Sequence, residues 1–499
     1  MTRGDDNSYK GILRNMSIFG GVQVFQVIAG LLRGKIAAIF LGPAGMGVAS
    51  LFTSSATTLQ QLSSLGLGQS IVREVAAADS DGEGETGDSS ALSSALCVSR
   101  FLLILTGLCG ALLTLVLSPW LSDFTFGSEE YAVGFALLSV MVFFTTLANG
   151  EIAILQGMHR VRRLALATIG ALVIGLTAML PLYWILGDKG IVPAMAVNAL
   201  ATWIFYRWCS SRETVGLRLG PSLFSLSLSR IAPYRPLIFR MVKLGTVLVA
   251  AQLIGSLTTY LINIFVRNFG STEDVGLFQA ANSLTMQCVA VVFAAMGMEF
   301  FPRLTTVAEN PEKIRTIVNR QIEVVALVAA PIASLMILFA PLAVRIVLSE
   351  DFLPAVPLIR WMCIGILFKA IAYPPGYISF AKGDRKTFFW LEGIAGNLIL
   401  LGISVVCFLG WGLIGLGVAS TATFFIYIFV YIILTRCLYG FKMSGKGISA
   451  SLISSLLVGL TFLCSLLNSD VWSVAAMTVC CVVTLLYGGL SLMKLVKNE

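Results

Sequence analysis

Residues 30–52 read GLLRGKIAAIFLGPAGMGVASLF. An apolar run reaches Leu41, stops at Gly42-Pro43 and resumes at Val48. Glycine loosens the backbone and proline lacks the amide a helix needs, so the pair marks a break. The stretch therefore predicts two apolar helices joined by a tight turn. The first of them carries Arg33 and Lys35, charges that hydrocarbon does not tolerate cheaply.

The same pattern continues outward along the chain. A membrane helix needs about 20 mostly apolar residues. Fourteen runs qualify, at 16–40, 45–67, 94–117, 132–155, 164–186, 191–210, 242–266, 276–300, 321–347, 354–380, 387–409, 413–434, 448–467 and 471–493. The alternation of a β-barrel is absent, and the runs far exceed the roughly 10 residues of a barrel strand. The polar head before the first run lacks the pattern of a cleavable signal peptide, so that run is expected to be the first membrane helix. Composition agrees: 57% of the 499 residues are hydrophobic. Only 12% are charged, against about 25% in an ordinary soluble domain. Mean hydropathy is +0.88. A soluble enzyme, a disordered chain and a secreted disulfide scaffold are excluded. The expected fold is an all-α polytopic membrane protein of about fourteen transmembrane helices.

Charge sets an orientation. The 34 Lys and Arg outnumber the 26 Asp and Glu, as expected when basic residues collect in cytoplasmic loops. With the N-terminus inside, only Lys189, Arg267 and Arg345 fall in external segments, which are otherwise acidic. A missed span would invert this asymmetry downstream. An even count with both termini cytoplasmic follows. No basic module with stacking aromatics is present, so nucleic acid is not an expected partner. Ten scattered cysteines form no CxxC pair and His159 is the only histidine, which leaves zinc, haem and iron–sulfur without ligands. No cofactor is expected.

Two cytoplasmic segments stand apart. Residues 76–93 are acidic and Gly/Ser-rich. Residues 207–243 are basic and contain SLFSLSLSRI (222–231), a stretch suited to the membrane surface. This linker divides an internal repeat. LGPAGMGVASLF (41–52) precedes a span ending in SIVREVA, and FGSTEDVGLFQAANS (269–283) precedes one ending in FFPRLTTVA. Gly47 then matches Gly276, and Arg73 matches Arg303. Spans 1–6 and 7–12 read as parallel copies related by a pseudo-two-fold axis, the arrangement in which transporters place a substrate path between halves. The expected organisation is a six-helix bundle at 1–210, a basic linker at 211–241, a second bundle at 242–440 and two further helices at 441–499.

Four basic residues inside spans are the candidates: Arg33 and Lys35 in the first, Arg360 and Lys369 in the tenth. Such residues usually face a partner or a water-filled cavity. Surplus positive charge suits an anion, and phosphate is a natural ligand for arginine. Arg33 and Lys35 stand about 200° apart around a helix, so only one of them faces a cavity squarely. Arg360 is also placed to snorkel to the outer interface. The buried acids, Glu151 and Glu392, lie about a turn inside the cytoplasmic ends of their spans. They are placed either to pair with loop arginines or, with Arg73 and Arg303, to serve coupling or gating. No Walker loop, GxSxG elbow or potassium-channel filter is present. A carrier with alternating access remains.

The stretch Gly30–Phe52 resembles the start of Wzx-type flippases of the polysaccharide transporter family, within the multidrug/oligosaccharidyl-lipid/polysaccharide (MOP) exporter superfamily. The matching residues are Gly34 and Lys35 near the end of the first helix, then Gly42, Pro43, Gly45 and Gly47. Arg33 lies outside that motif. The resemblance implies two six-helix bundles around a cationic cavity in a bacterial inner membrane. It implies a non-enzymatic flippase that moves undecaprenyl-pyrophosphate-linked oligosaccharide, an O-antigen or related repeat unit, toward the periplasmic leaflet. The pyrophosphate would meet Arg33, Lys35, Arg360 and Lys369, and the lipid tail would stay among membrane lipids. A polysaccharide polymerase and chain-length machinery are the implied protein partners. Two extra C-terminal helices depart from the twelve-helix plan and resemble those of fourteen-helix lipid II flippases. The alternatives are a cation-coupled multidrug exporter of the same superfamily or a lipid II-type flippase. Such exporters rely on intramembrane acids, whereas the mid-membrane charges here are basic.

Overall fold

The computed structural model describes residues 3–82, 89–213, 234–467 and 470–497. The acidic loop around 83–88 and the SLFSLSLSRI stretch fall outside them. Among the described residues the chain is helical, and ten segments are long and apolar enough to cross a membrane. Three of these, of 44, 52 and 54 residues, are over twice the roughly 20 that one crossing needs.

Each of the three is broken where glycine takes a left-handed backbone. Helix α1 (Arg3–Ser64) turns at Gly42, with φ 61° and Pro43 directly after it. Helices α6 (Val161–Leu186) and α7 (Ile191–Glu213) are joined through Gly187, at φ 53°. The third break is Gly412, at φ 58°, inside the long helix Gly396–Tyr439. Each broken segment holds two of the expected spans. The expected eighth span, 276–300, is not among the ten; the helix found there, Thr272–Ala295, carries Glu273, Asp274, Gln279 and Asn282 in its early turns. Large apolar side chains such as Val133, Trp184 and Val406 are exposed. That is the surface expected of a protein whose solvent is lipid.

The chain divides into two compact units, residues 1–29 with 49–264 and residues 30–48 with 265–499. In the first unit, α2 (Leu67–Gly82), α3 (Ser89–Val116) and α5 (Ala132–Gly157) pack with α7 around Ile71, Leu96, Ile154 and Leu155. The short α4 (Ser118–Phe126) precedes α5. Helix α8 (Arg235–Phe269) closes this unit. Its Met241 carbonyl accepts from Ser70 Oγ at 2.7 Å, Arg240 pairs with Glu74, and Ser256 donates to Gln61 at 2.9 Å.

In the second unit, α9 (Thr272–Ala295) ends in a π-helical turn, Met296–Phe300, followed by α10 (Phe301–Thr306). Helix α11 (Pro311–Val347) then packs against α12 (Val356–Ala381). A helical turn, α13 (Arg385–Phe388), and a second π-helical stretch, Phe389–Ala395, lead into α14 (Gly396–Tyr439). At the α12–α13 turn, Asp384 accepts from the Thr387 hydroxyl, the Thr387 amide and Tyr439 Oη. These bonds, the Thr387 hydroxyl first, hold its carboxyl below the usual range. The last helices, α15 (Gly445–Cys464) and α16 (Asp470–Lys497), dock on α11. Gly488 makes this docking close: a Cβ there would stand 2.8 Å from Leu327 O, the carbonyl that Pro331 leaves without an amide partner.

Candidate functional site

The four basic candidates within spans all belong to the second unit. They do not converge on one point. Lys35 donates from Nζ to Ile346 O at 2.5 Å. That carbonyl lies in the last turn of α11, where backbone oxygens lack helical partners and the helix dipole is negative. Lys35 therefore ties the segment Gly30–Val48 to the end of α11. Arg33 is half-buried two residues away, on a different face of its helix.

Arg360 is half-buried on α12 and bonds two backbone carbonyls. Nε donates to Ile337 O at 3.4 Å, and Nη1 donates to Ser465 O at 3.3 Å. Ile337 is four residues before Pro341, which has no N–H to offer it. Ser465 caps the end of α15. One guanidinium fork thus supplies donors to a proline-orphaned carbonyl and to a helix C-terminus.

Lys369 lies nine residues further along α12, about 14 Å at the helical rise. Its Nζ stands 5.1 Å from the Phe424 ring centroid, 5.4 Å from Tyr373 and 5.7 Å from Phe293. Met286 Sδ is 3.8 Å away. Three aromatic faces from α9, α12 and α14 surround one ammonium. Their quadrupoles favour a cation within about 6 Å of a ring centroid. The rings hold the ammonium in place.

The acids are placed differently. Glu151 is 3% exposed and sits between two arginines of the first unit. Arg100 Nε and Nη2 each reach it at 3.3 Å, and Arg207 Nη1 reaches it at 3.2 Å. Arg100 also donates to Ser210 Oγ at 3.2 Å. Arg207 is the partner drawn from the end of a span. Arg100, itself buried inside α3, is the functional-looking residue that sequence reasoning missed. Its signal was present, a single arginine within an apolar run. The Glu392 side chain lies outside the described residues. Arg73 is exposed on α2. Arg303 is exposed on α10 and pairs with Glu299, one turn earlier, at 3.2 Å.

Half-buried cations, a carboxylate clamped between arginines and glycine-broken membrane helices describe a polytopic transport protein rather than a catalytic centre. Solved structures show the same fold. The chain matches lipid II flippase MurJ in its inward closed conformation with a TM-score of 0.70 at 13% identity, covering 96% of this chain and 100% of that one. It matches the inward-facing conformation of a multidrug resistance MATE family transporter of the MOP superfamily with a TM-score of 0.67 at 16% identity, covering 84% and 94%. In sequence, the chain is 24% identical over 411 residues to the lipid III flippase of Escherichia coli (strain K12), covering 80% of this chain and 92% of that protein. The family model described as polysaccharide biosynthesis protein matches residues 36–357, and the chain belongs to that family. The relatives are flippases and transporters, not enzymes.

Proposed function

We propose that the protein is a flippase for undecaprenyl-pyrophosphate-linked oligosaccharide, an O-antigen or related repeat unit. It works by alternating access in the bacterial inner membrane. The reading includes fourteen crossings with both termini cytoplasmic, bundles at 1–210 and 242–440, the linker 211–241 and an added pair at 441–499. A polysaccharide polymerase and chain-length machinery would receive the product.

The observation that carries the proposal is Lys369. Its ammonium is held in place by aromatic faces in the middle of an apolar helix. A diphosphate is an anion that this positioned ammonium can attract. Arg33 adds charge on the segment that Lys35 anchors. Lys35 and Arg360 hold the surrounding helices in register through their carbonyl bonds. The clamped Glu151 argues against a multidrug exporter, because a carboxylate engaged by two guanidiniums is poorly placed to bind a cationic drug.

The test is leaflet-resolved transport in liposomes. A fluorescent undecaprenyl-pyrophosphate glycan is reconstituted with the purified protein, and its accessibility to an added glycosidase is followed over time. The expected result is transport by the wild type and none by Lys369→Ala. Transfer no faster than in protein-free liposomes, together with binding of small organic cations, would replace the reading with drug export.

A further inference from the structure

A cavity of about 310 Å³ opens in the first unit, where α1, α2, α5 and α8 meet. Six carboxamides line it: Gln60, Gln61, Gln69, Asn149, Gln156 and Gln252. Among the described residues that line it, none is charged and none is aromatic. Five of the six amides sit on segments apolar enough to cross a membrane. An amide turned toward hydrocarbon without a partner is strongly disfavoured, so a cluster of them marks a hydrated recess. Only Gln61 has a hydrogen-bond partner among the described residues, accepting from Ser256 Oγ at 2.9 Å. The other five keep their donors and acceptors for whatever fills the space.

The backbone around the cavity is held in place. Leu65 takes φ 49°, a left-handed conformation that costs a non-glycine residue energy. The adjoining Gly66 is pressed against α8, where a Cβ would stand 2.1 Å from Gly245 O. Two residues on, Gly68 faces the opposite situation: a Cβ there would meet nothing within 4 Å. The turn between α1 and α2 is thus pinned on one side and leaves room on the other.

We propose that this cavity seats a neutral sugar ring, a hexose or N-acetylhexosamine of the lipid-linked glycan. The inference rests on the flippase reading and adds the part of the substrate that the cations of the second unit do not address. Each carboxamide offers one acceptor and two donors, which match the mixed donors and acceptors of ring hydroxyls and acetamido groups. The lack of charge gives a uronic acid no ionic advantage. At about 310 Å³ the cavity is at the small end of ligand sites, which run from about 300 to 1,000 Å³.

The test uses the full chain in lipid nanodiscs and chitobiose as the probe, with glucuronic acid as the charged control. Binding is read by saturation-transfer NMR. Saturation transfer to chitobiose and not to glucuronic acid is expected. Asn149→Leu should weaken it about three- to tenfold, the worth of one or two hydrogen bonds, and Gly68→Leu should weaken it by filling the open space beside that glycine. Thermal unfolding checks that both variants fold, and Gln156→Leu at an exposed position repeats the test should either melt early. No transfer in the wild type, or equal transfer in all variants, overturns the proposal. The liposome assay separates the two readings. Amide-dependent sugar binding without glycan transport would remove the flippase reading and keep this site. Undiminished transport by the variants, with no sugar binding, would do the reverse.

Discussion

Gly47 and Gly276 lie backbone to backbone. A Cβ on Gly47 would stand 1.9 Å from Thr272 O, and a Cβ on Gly276 would stand 1.9 Å from Pro43 O. Both belong to the second unit, so this contact fastens the segment Gly30–Val48 onto α9. The obstacle in each case is a carbonyl rather than a flexible side chain, and the two helices must part to admit a methyl group. Gly47→Ala and Gly276→Ala should each destabilise the protein by about 3 kcal/mol, the upper part of the range for overpacking. Thermal unfolding in detergent reads this. Wild-type melting of both variants would show that the contact is looser than the structure has it.

The buried group Arg100–Glu151–Arg207 makes a second prediction. Removing one member of a buried ionic group leaves uncompensated charge, at a cost of about 3–5 kcal/mol. Glu151→Gln removes the carboxylate shared by both guanidiniums. Strong destabilisation is expected, and Arg100→Met added to Glu151→Gln should recover part of it, because these side chains are coupled. Unfolding measurements on both single variants and the double variant decide the matter. Purely additive losses would mean that the three residues do not act as a unit.

The helical architecture was legible because its signals are local. Apolar runs gave the membrane segments, and Gly42-Pro43 gave the break in α1 that the structure places at φ 61°. The site was legible only in part. Lys369 announced itself as a charge in mid-span, but the rings of Phe293 and Phe424 come from helices far along the chain. Arg360 read as snorkelling or substrate-binding, and its bonds to Ile337 O and Ser465 O require the packing of α11 and α15. Arg100 lies six residues inside the expected span 94–117 but is not among the four charges singled out from the sequence. The amides around Gly68 carry no charge and come from four separate elements, so no count of charges could assemble them.

Lys369 gives a prediction that separates charge from packing. Lys369→Met keeps an unbranched stem among the three rings and removes the ammonium. Membrane insertion and melting should stay close to wild type, while glycan transport falls at least tenfold, about 1.4 kcal/mol of lost stabilisation. The liposome assay beside a melting curve measures both. Transport preserved in Lys369→Met would assign this residue a packing role only.

Arg360 and Pro341 are predicted to be coupled through a carbonyl neither owns. Pro341 lacks the amide that would bond Ile337 O, and Arg360 Nε supplies the donor instead. Arg360→Met should destabilise by about 1.5–3 kcal/mol, as for a hydrogen bond to a charged group. In a Pro341→Ala background the new alanine N–H can take over Ile337 O, and the same substitution should cost about 1 kcal/mol less. The remaining cost belongs to the bond with Ser465 O, which Pro341 does not touch. A double-mutant cycle in thermal unfolding measures the difference. Equal costs in the two backgrounds would show that Arg360 does not stand in for the missing amide.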